Sequence, residues 1–163
     1  MRAPAPPQPR REPPARFRSV GPGSRALAPV PAAPYHAGMI VGIGIDHVRV
    51  ERMAGLLERR PDGARDRLFT EGERETCEGR ASPAEGYAAR FAAKEAFLKA
   101  LGTGWSGGIG WHEVEVVTGA NGRPHLRLSG TAAGRLREAG GRRVHLSFTH
   151  EGGMAAAVVV IEG

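Results

Sequence analysis

The chain has 163 residues, enough for one domain of ordinary size. Its formal charge of +6 points first to a nucleic-acid binder, but the excess is local: residues 1–38 carry six Arg against one acid, Glu12, and residues 39–163 are nearly neutral. One cysteine, Cys77, excludes an intramolecular disulfide and fits a reducing, cytoplasmic setting.

Residues 1–38 hold 10 of the 13 prolines, with scattered Arg and Ala. Nothing there is long and apolar enough for a signal-peptide core or a membrane span. Pro-rich composition predicts an extended, disordered leader, with Met39 as the native start or the leader as an extension ahead of it. Residues 39–163 form the expected domain.

MIVGIGI, residues 39–45, is short, continuous and rich in Ile and Val, which predicts a buried strand with Asp46 at its end. From Val48 the pattern turns helical, with Arg49, Arg52, Arg59 and Arg60 on its polar side and a Pro61-Asp62-Gly63 stop. Thr70 and Glu73 have the spacing of a capping box that opens a short helix. A long helix follows over 83–101, rich in Ala, Leu, Lys and Glu, and Gly102 and Gly104 end it. Residues 111–118 and 124–129 alternate as strands around an Asn121-Gly122 hairpin. A short helix over 130–139 precedes two last strands, 144–149 and 154–162. The sum is a mixed α+β domain with a mostly antiparallel sheet.

On the long helix Phe91, Glu95 and Leu98 share one face, so a carboxylate interrupts an apolar stripe. Taken alone, Glu95 and Lys99 make an ordinary i,i+4 surface pair. Asp46, at the end of a distant strand, changes that weighting. Two carboxylates from far apart in the chain suit a hard cation such as Mg²⁺, which takes one or two protein carboxylates and fills its shell with water and phosphate oxygens. Arg90, Lys94 and Lys99 beside them suit a substrate carrying several phosphates. GIG at 42–44 is only half of a dinucleotide fingerprint, and GTGWSGG at 102–108 lacks the ending of a P-loop. His145 and His150 point to opposite faces of a strand and are poor joint metal ligands.

Four blocks in order, GIGID, RFAAKEAFLKALGTG, EVEVVTGANGRP and VHLSFTHEGGMAAAVVVIE, resemble the holo-[acyl-carrier-protein] synthase family, the short 4′-phosphopantetheinyl transferases. The resemblance runs over residues 39–163. It implies transfer of the 4′-phosphopantetheine arm from coenzyme A to a serine of an apo acyl-carrier protein, releasing adenosine 3′,5′-bisphosphate, in support of fatty acid or polyketide biosynthesis. By the same resemblance Asp46 and Glu95 hold Mg²⁺, and Lys94 and Lys99 neutralise phosphate oxygens. Arg90, His145 and Thr149 meet the nucleotide end, and the Gly102-Thr103-Gly104 turn admits the cofactor. The implied catalytic set is Asp46, Glu95 and Lys99, with removal of the serine proton left to a water on the metal or to Glu95. A basic helix after the first strand meets the acidic carrier in the family, which places Arg52 and Arg59 there. His47 departs from the family's aliphatic residue. Val48 lacks the third carboxylate of the larger, two-lobed enzymes, which favours the short class and its homotrimer with sites in the clefts between subunits.

Two rivals come from other classes. A nucleic-acid module is opposed by the near-neutral domain and by the absence of a basic-aromatic stripe. An interaction protein using the Pro-rich leader as its ligand leaves Asp46 and Glu95 unexplained.

Overall fold

The structure, a computed structural model, describes residues 38–59 and 63–163. The leader therefore lies outside the described residues, apart from Gly38, as do Arg60 of the expected helix and Pro61 and Asp62 of its expected stop.

The centre is α4 (Pro83–Leu101), against which β1 (Ile40–Arg49) and β5 (Met154–Glu162) pack. Pro83 stands at its first turn, where a missing N–H costs nothing. Gly102, at φ 72°, ends it in the left-handed region that glycine enters freely. Ala88, Ala89, Ala92, Ala93 and Ala96 are all buried. Small side chains on almost every face are what allow a helix to run through the middle of a small domain.

β1, β5 and β4 (Arg143–Glu151) form a three-stranded antiparallel sheet with β5 in the centre. Asp46 pairs with Ala157 and His145 with Val160. The turn between β4 and β5 uses Gly152 and Gly153, both at positive φ. β2 (Val114–Thr118) and β3 (Pro124–Leu128) make a separate hairpin rather than joining one sheet. α1 (Val50–Arg59), α2 (Ala64–Leu68) and α3 (Glu71–Glu78) connect β1 to α4, and α5 (Gly130–Glu138) connects the hairpin to β4. The α+β class holds, with every strand pair antiparallel.

Three expectations need correction. β1 runs on to Arg49, so α1 begins two residues later than its pattern implies. Residues 111–113 are a turn of 3₁₀-helix, and β2 starts only at Val114. The first strand is buried on one face alone: Ile43 and Ile45 are 61% and 66% exposed. Gly42 and Gly44 turn toward α4, and the isoleucines between and after them turn away.

The capping box is present. Thr70 Oγ1 accepts from Glu73 N at 3.3 Å, and Glu73 Oε2 accepts from Thr70 N at 2.9 Å.

Candidate active site

The site is built by an unusually close approach of strand to helix. A Cβ on Gly44 would stand 1.9 Å from the Ala96 carbonyl oxygen, and one on Gly42 would stand 2.0 Å from that of Ala100. Two glycines on β1 therefore let its backbone lie directly on the α4 backbone. Two residues past Gly44, on the same face, comes Asp46. Glu95 and Lys99 flank Ala96 on the helix, so this contact brings the three together.

Lys99 Nζ donates to Asp46 Oδ1 at 2.8 Å and to the Ile45 carbonyl at 3.1 Å. Its ion pair is thus with the distant carboxylate, not the i,i+4 surface pair with Glu95. Half of the Lys99 side chain remains in solvent. Asp46 and Glu95 line one cavity with His47, Arg52, Leu56 and Phe91. Burial pushes the Glu95 carboxyl above its ordinary range, and the negative charge of Asp46 pushes it further, against a smaller opposing pull from Lys99. Two carboxylates in conflict at one cavity are a donor set suited to a hard divalent cation, whose charge relieves that conflict. Among the described residues no cluster of three or more His, Cys, Asp or Glu side chains is arranged for a metal, so Asp46 and Glu95 are a two-carboxylate set.

Arg52 and His47 also line an adjoining basic groove with Arg49, Arg59, Glu51 and Met154. Arg52 and Arg59 are both exposed on α1, so the expected carrier-facing arginines open onto solvent, and Arg52 also lines the cavity of the two carboxylates. His145 and Thr149 lie four apart on the exposed face of β4. His145 Nε2 is 2.9 Å from Glu162 Oε2. His150 turns the other way and meets Glu85 at 3.5 Å, as the strand alternation requires. Gly102, Thr103 and Gly104 form the turn at the end of α4. Among the described residues no atom lies within 4 Å of where a Cβ on either glycine would be, so positive φ, not crowding by them, is what calls for glycine there.

Two of the expected phosphate-side cations lie elsewhere. Lys94 is fully buried, and its ammonium donates to Glu73 Oε2 at 2.8 Å, to the Leu68 carbonyl at 2.9 Å and to the Trp111 carbonyl at 2.8 Å. All three of its protons are used within the core. Arg90 is 1% exposed and donates to the Gly86 carbonyl at 3.3 Å. Neighbouring positions on a helix point about 100° apart, so Lys94 enters the core while Glu95 faces the cavity.

Glu73 escaped the sequence reading except as a cap. Its carboxylate accepts from Thr70 N, Lys94 Nζ and Val116 N, all buried or nearly so. Removing one partner of such a pair costs about 3–5 kcal/mol, because the other charge is then left without a counterion. A further cavity joins His145 to Arg123, Pro124 and His125. The Asn121-Gly122 turn was legible, but its place beside β4 was not.

Residues 42–158 match the family model for the 4′-phosphopantetheinyl transferase superfamily. A holo-[acyl-carrier-protein] synthase from Methylobacterium radiotolerans is 53% identical over 128 residues, covering 76% of this chain and 94% of that protein. The crystal structure of the Neisseria meningitidis holo-[acyl-carrier-protein] synthase superposes with a TM-score of 0.71 at 34% identity, over 77% of this chain and all of that one. The Bacillus anthracis enzyme, solved in complex with CoA (3′,5′-ADP), superposes at 0.62 with 36% identity, over 76% and 97%. The chain belongs to the 4′-phosphopantetheinyl transferase superfamily, on its holo-[acyl-carrier-protein] synthase branch, and is an enzyme. No helix of the described residues is long and apolar enough to cross a membrane.

Proposed function

We propose that this enzyme transfers the 4′-phosphopantetheine arm of coenzyme A to a serine hydroxyl of an apo acyl-carrier protein, with Mg²⁺ held by Asp46 and Glu95. The observation that carries this reading is the meeting of Asp46 and Glu95 at one cavity, with Lys99 ion-paired to Asp46 and Glu95 held above its ordinary pKa. When bound, Mg²⁺ supplies charge withdrawal from the pyrophosphate and stabilises the leaving phosphate, adenosine 3′,5′-bisphosphate. Lys99, half exposed beside Asp46, neutralises phosphate oxygens. His145 and Thr149 meet the nucleotide end, and the Gly102–Gly104 turn gives the cofactor backbone at close range. The basic groove of Arg49, Arg52 and Arg59 receives the acidic carrier and delivers its serine to the cavity that Arg52 shares with Glu95. The setting is cytoplasmic, where Cys77 stays a thiol, and the product supports fatty acid or polyketide biosynthesis.

The same geometry supports a homotrimer. Asp46 faces α4, whereas His145 faces away from it, two strand spacings distant, about 10 Å across the sheet. One chain does not present both to one extended cofactor, so a second copy completes the site. Ile43, Ile45 and Val158 give the uncovered sheet face the apolar surface such an interface buries.

The test is transfer with and without divalent cation. The expected result is Mg²⁺-dependent transfer by the wild type, abolished in Asp46→Ala and Glu95→Ala while circular dichroism is unchanged. Substantial transfer by either variant overturns the metal assignment.

A further inference from the structure

Lys94 is sealed from solvent, yet it touches the walls of the active-site region through the main chain. Its ammonium holds the carbonyls of Leu68 and Trp111. Both residues line a cavity of about 520 Å³ that also contains Glu95, Phe91, Leu56 and Arg67. The Trp111 and Phe91 rings pack against each other there at a tilt, with centroids 5.1 Å apart. The third proton of Lys94 goes to Glu73, which is itself held by Thr70 N and Val116 N. Leu68 ends α2, Thr70 and Glu73 open α3, Trp111 lies in the 3₁₀ turn and Val116 in β2. Four separate chain segments are thus referred to one atom of α4, adjacent in sequence to Glu95. The Phe69 ring closes over the ammonium at 5.6 Å.

We propose that Lys94 is a positioning residue: with Glu73 it clamps the Leu68 and Trp111 main chains, and so sets the cavity wall that faces Glu95. This rests on the phosphopantetheine-transfer reading for its catalytic consequence, but not for the clamp itself. A bare ion-pair role for Lys94 needs only Glu73. The two carbonyl contacts are what tie the pair to the cavity. Loss of the clamp shifts Trp111 and Leu68 relative to Glu95 without touching Lys99, His145 or Thr149. The effect therefore falls on turnover rather than on coenzyme A affinity.

The experiment uses the full chain carrying Trp105→Phe, so that Trp111 is the sole tryptophan. Lys94→Met removes the ammonium and keeps the apolar stem. The double variant Lys94→Met/Glu73→Gln also removes the orphaned buried charge, which restores stability if charge balance is all that matters. Trp111 emission and acrylamide quenching are read without coenzyme A or metal, and kcat and KM are read well below the thermal transition. The clamp predicts red-shifted, more quenchable Trp111 in both variants. It predicts kcat lower by about 10- to 100-fold with KM for coenzyme A within about threefold, in the double variant as in the single. A double variant with parental emission and kcat overturns the proposal. So does failure of both variants to fold, since the contacts then serve the fold alone. If the parent protein shows no transfer, the functional reading fails, and the emission arm still decides the clamp.

Discussion

Substituting alanine for Gly44 puts the strand-to-helix contact to a severe trial. The added Cβ would lie 1.9 Å from the Ala96 carbonyl oxygen and 2.6 Å from the Ala100 nitrogen, whereas ordinary contact begins at 3.4 Å. The opposing atoms are helix backbone and do not rotate away. β1 and α4 must separate locally by about 1.5 Å, at the upper end of overpacking costs, about 3 kcal/mol. The same movement draws Asp46 from Glu95 and Lys99, and a misplacement of this size costs about 100-fold in kcat/KM. Gly134→Ala in α5 is the control: among the described residues nothing lies within 4 Å of its Cβ position, and removing a helical glycine stabilises by about 0.5–1 kcal/mol. Urea unfolding and transfer kinetics on the same preparations read both quantities. A Gly44→Ala protein with parental stability and turnover refutes the claim that this contact builds the site.

Other consequences follow from charge and burial. Glu95 binds its proton more tightly in the fold than in the unfolded chain, so its contribution to stability is present below the ordinary carboxylate pKa and is lost as pH rises through the raised one. Glu95→Gln should therefore make the metal-free protein more stable at neutral pH, by about 0.5–2 kcal/mol, with the gap closing toward acid, while transfer is lost; a less stable variant contradicts the conflict between the carboxylates. Cys77 is pushed from 9.0 up to about 11, first by burial and against the pull of Arg90. Stability should hold below pH 9 and fall by up to about 3 kcal/mol as pH rises to 11, and the native thiol should resist alkylation at pH 8; rapid labelling of folded protein contradicts this. Arg52→Glu should raise KM for the carrier far more than KM for coenzyme A, and equal effects on both substrates reject the basic groove as the carrier's seat.

Much of this fold was legible because its signals are local. The Thr70–Glu73 capping box, the Asn121-Gly122 hairpin, the Gly102 stop and the alternation of 144–149 each depend on neighbours a few residues away, and each appears in the structure. Asp46 and Glu95 were found through type and place, an acid ending an apolar strand and an acid on an apolar stripe. What escaped depends on distant partners. Lys94 and Lys99 look alike in sequence, but one turns toward Glu73 in the core and the other toward Asp46 at the surface. Arg90 looks like a phosphate ligand until the helix is seen to be buried on nearly every face. Continuous Ile and Val in β1 predicted burial on both faces, and only the face toward α4 is covered within one chain.

The central claim is most directly tested by the intact mass of an apo acyl-carrier protein after incubation with this enzyme, coenzyme A and Mg²⁺. The account predicts a gain of one phosphopantetheine per carrier, on a serine, with adenosine 3′,5′-bisphosphate released in equal amount. Several acidic carriers left at their starting mass by folded enzyme would contradict it.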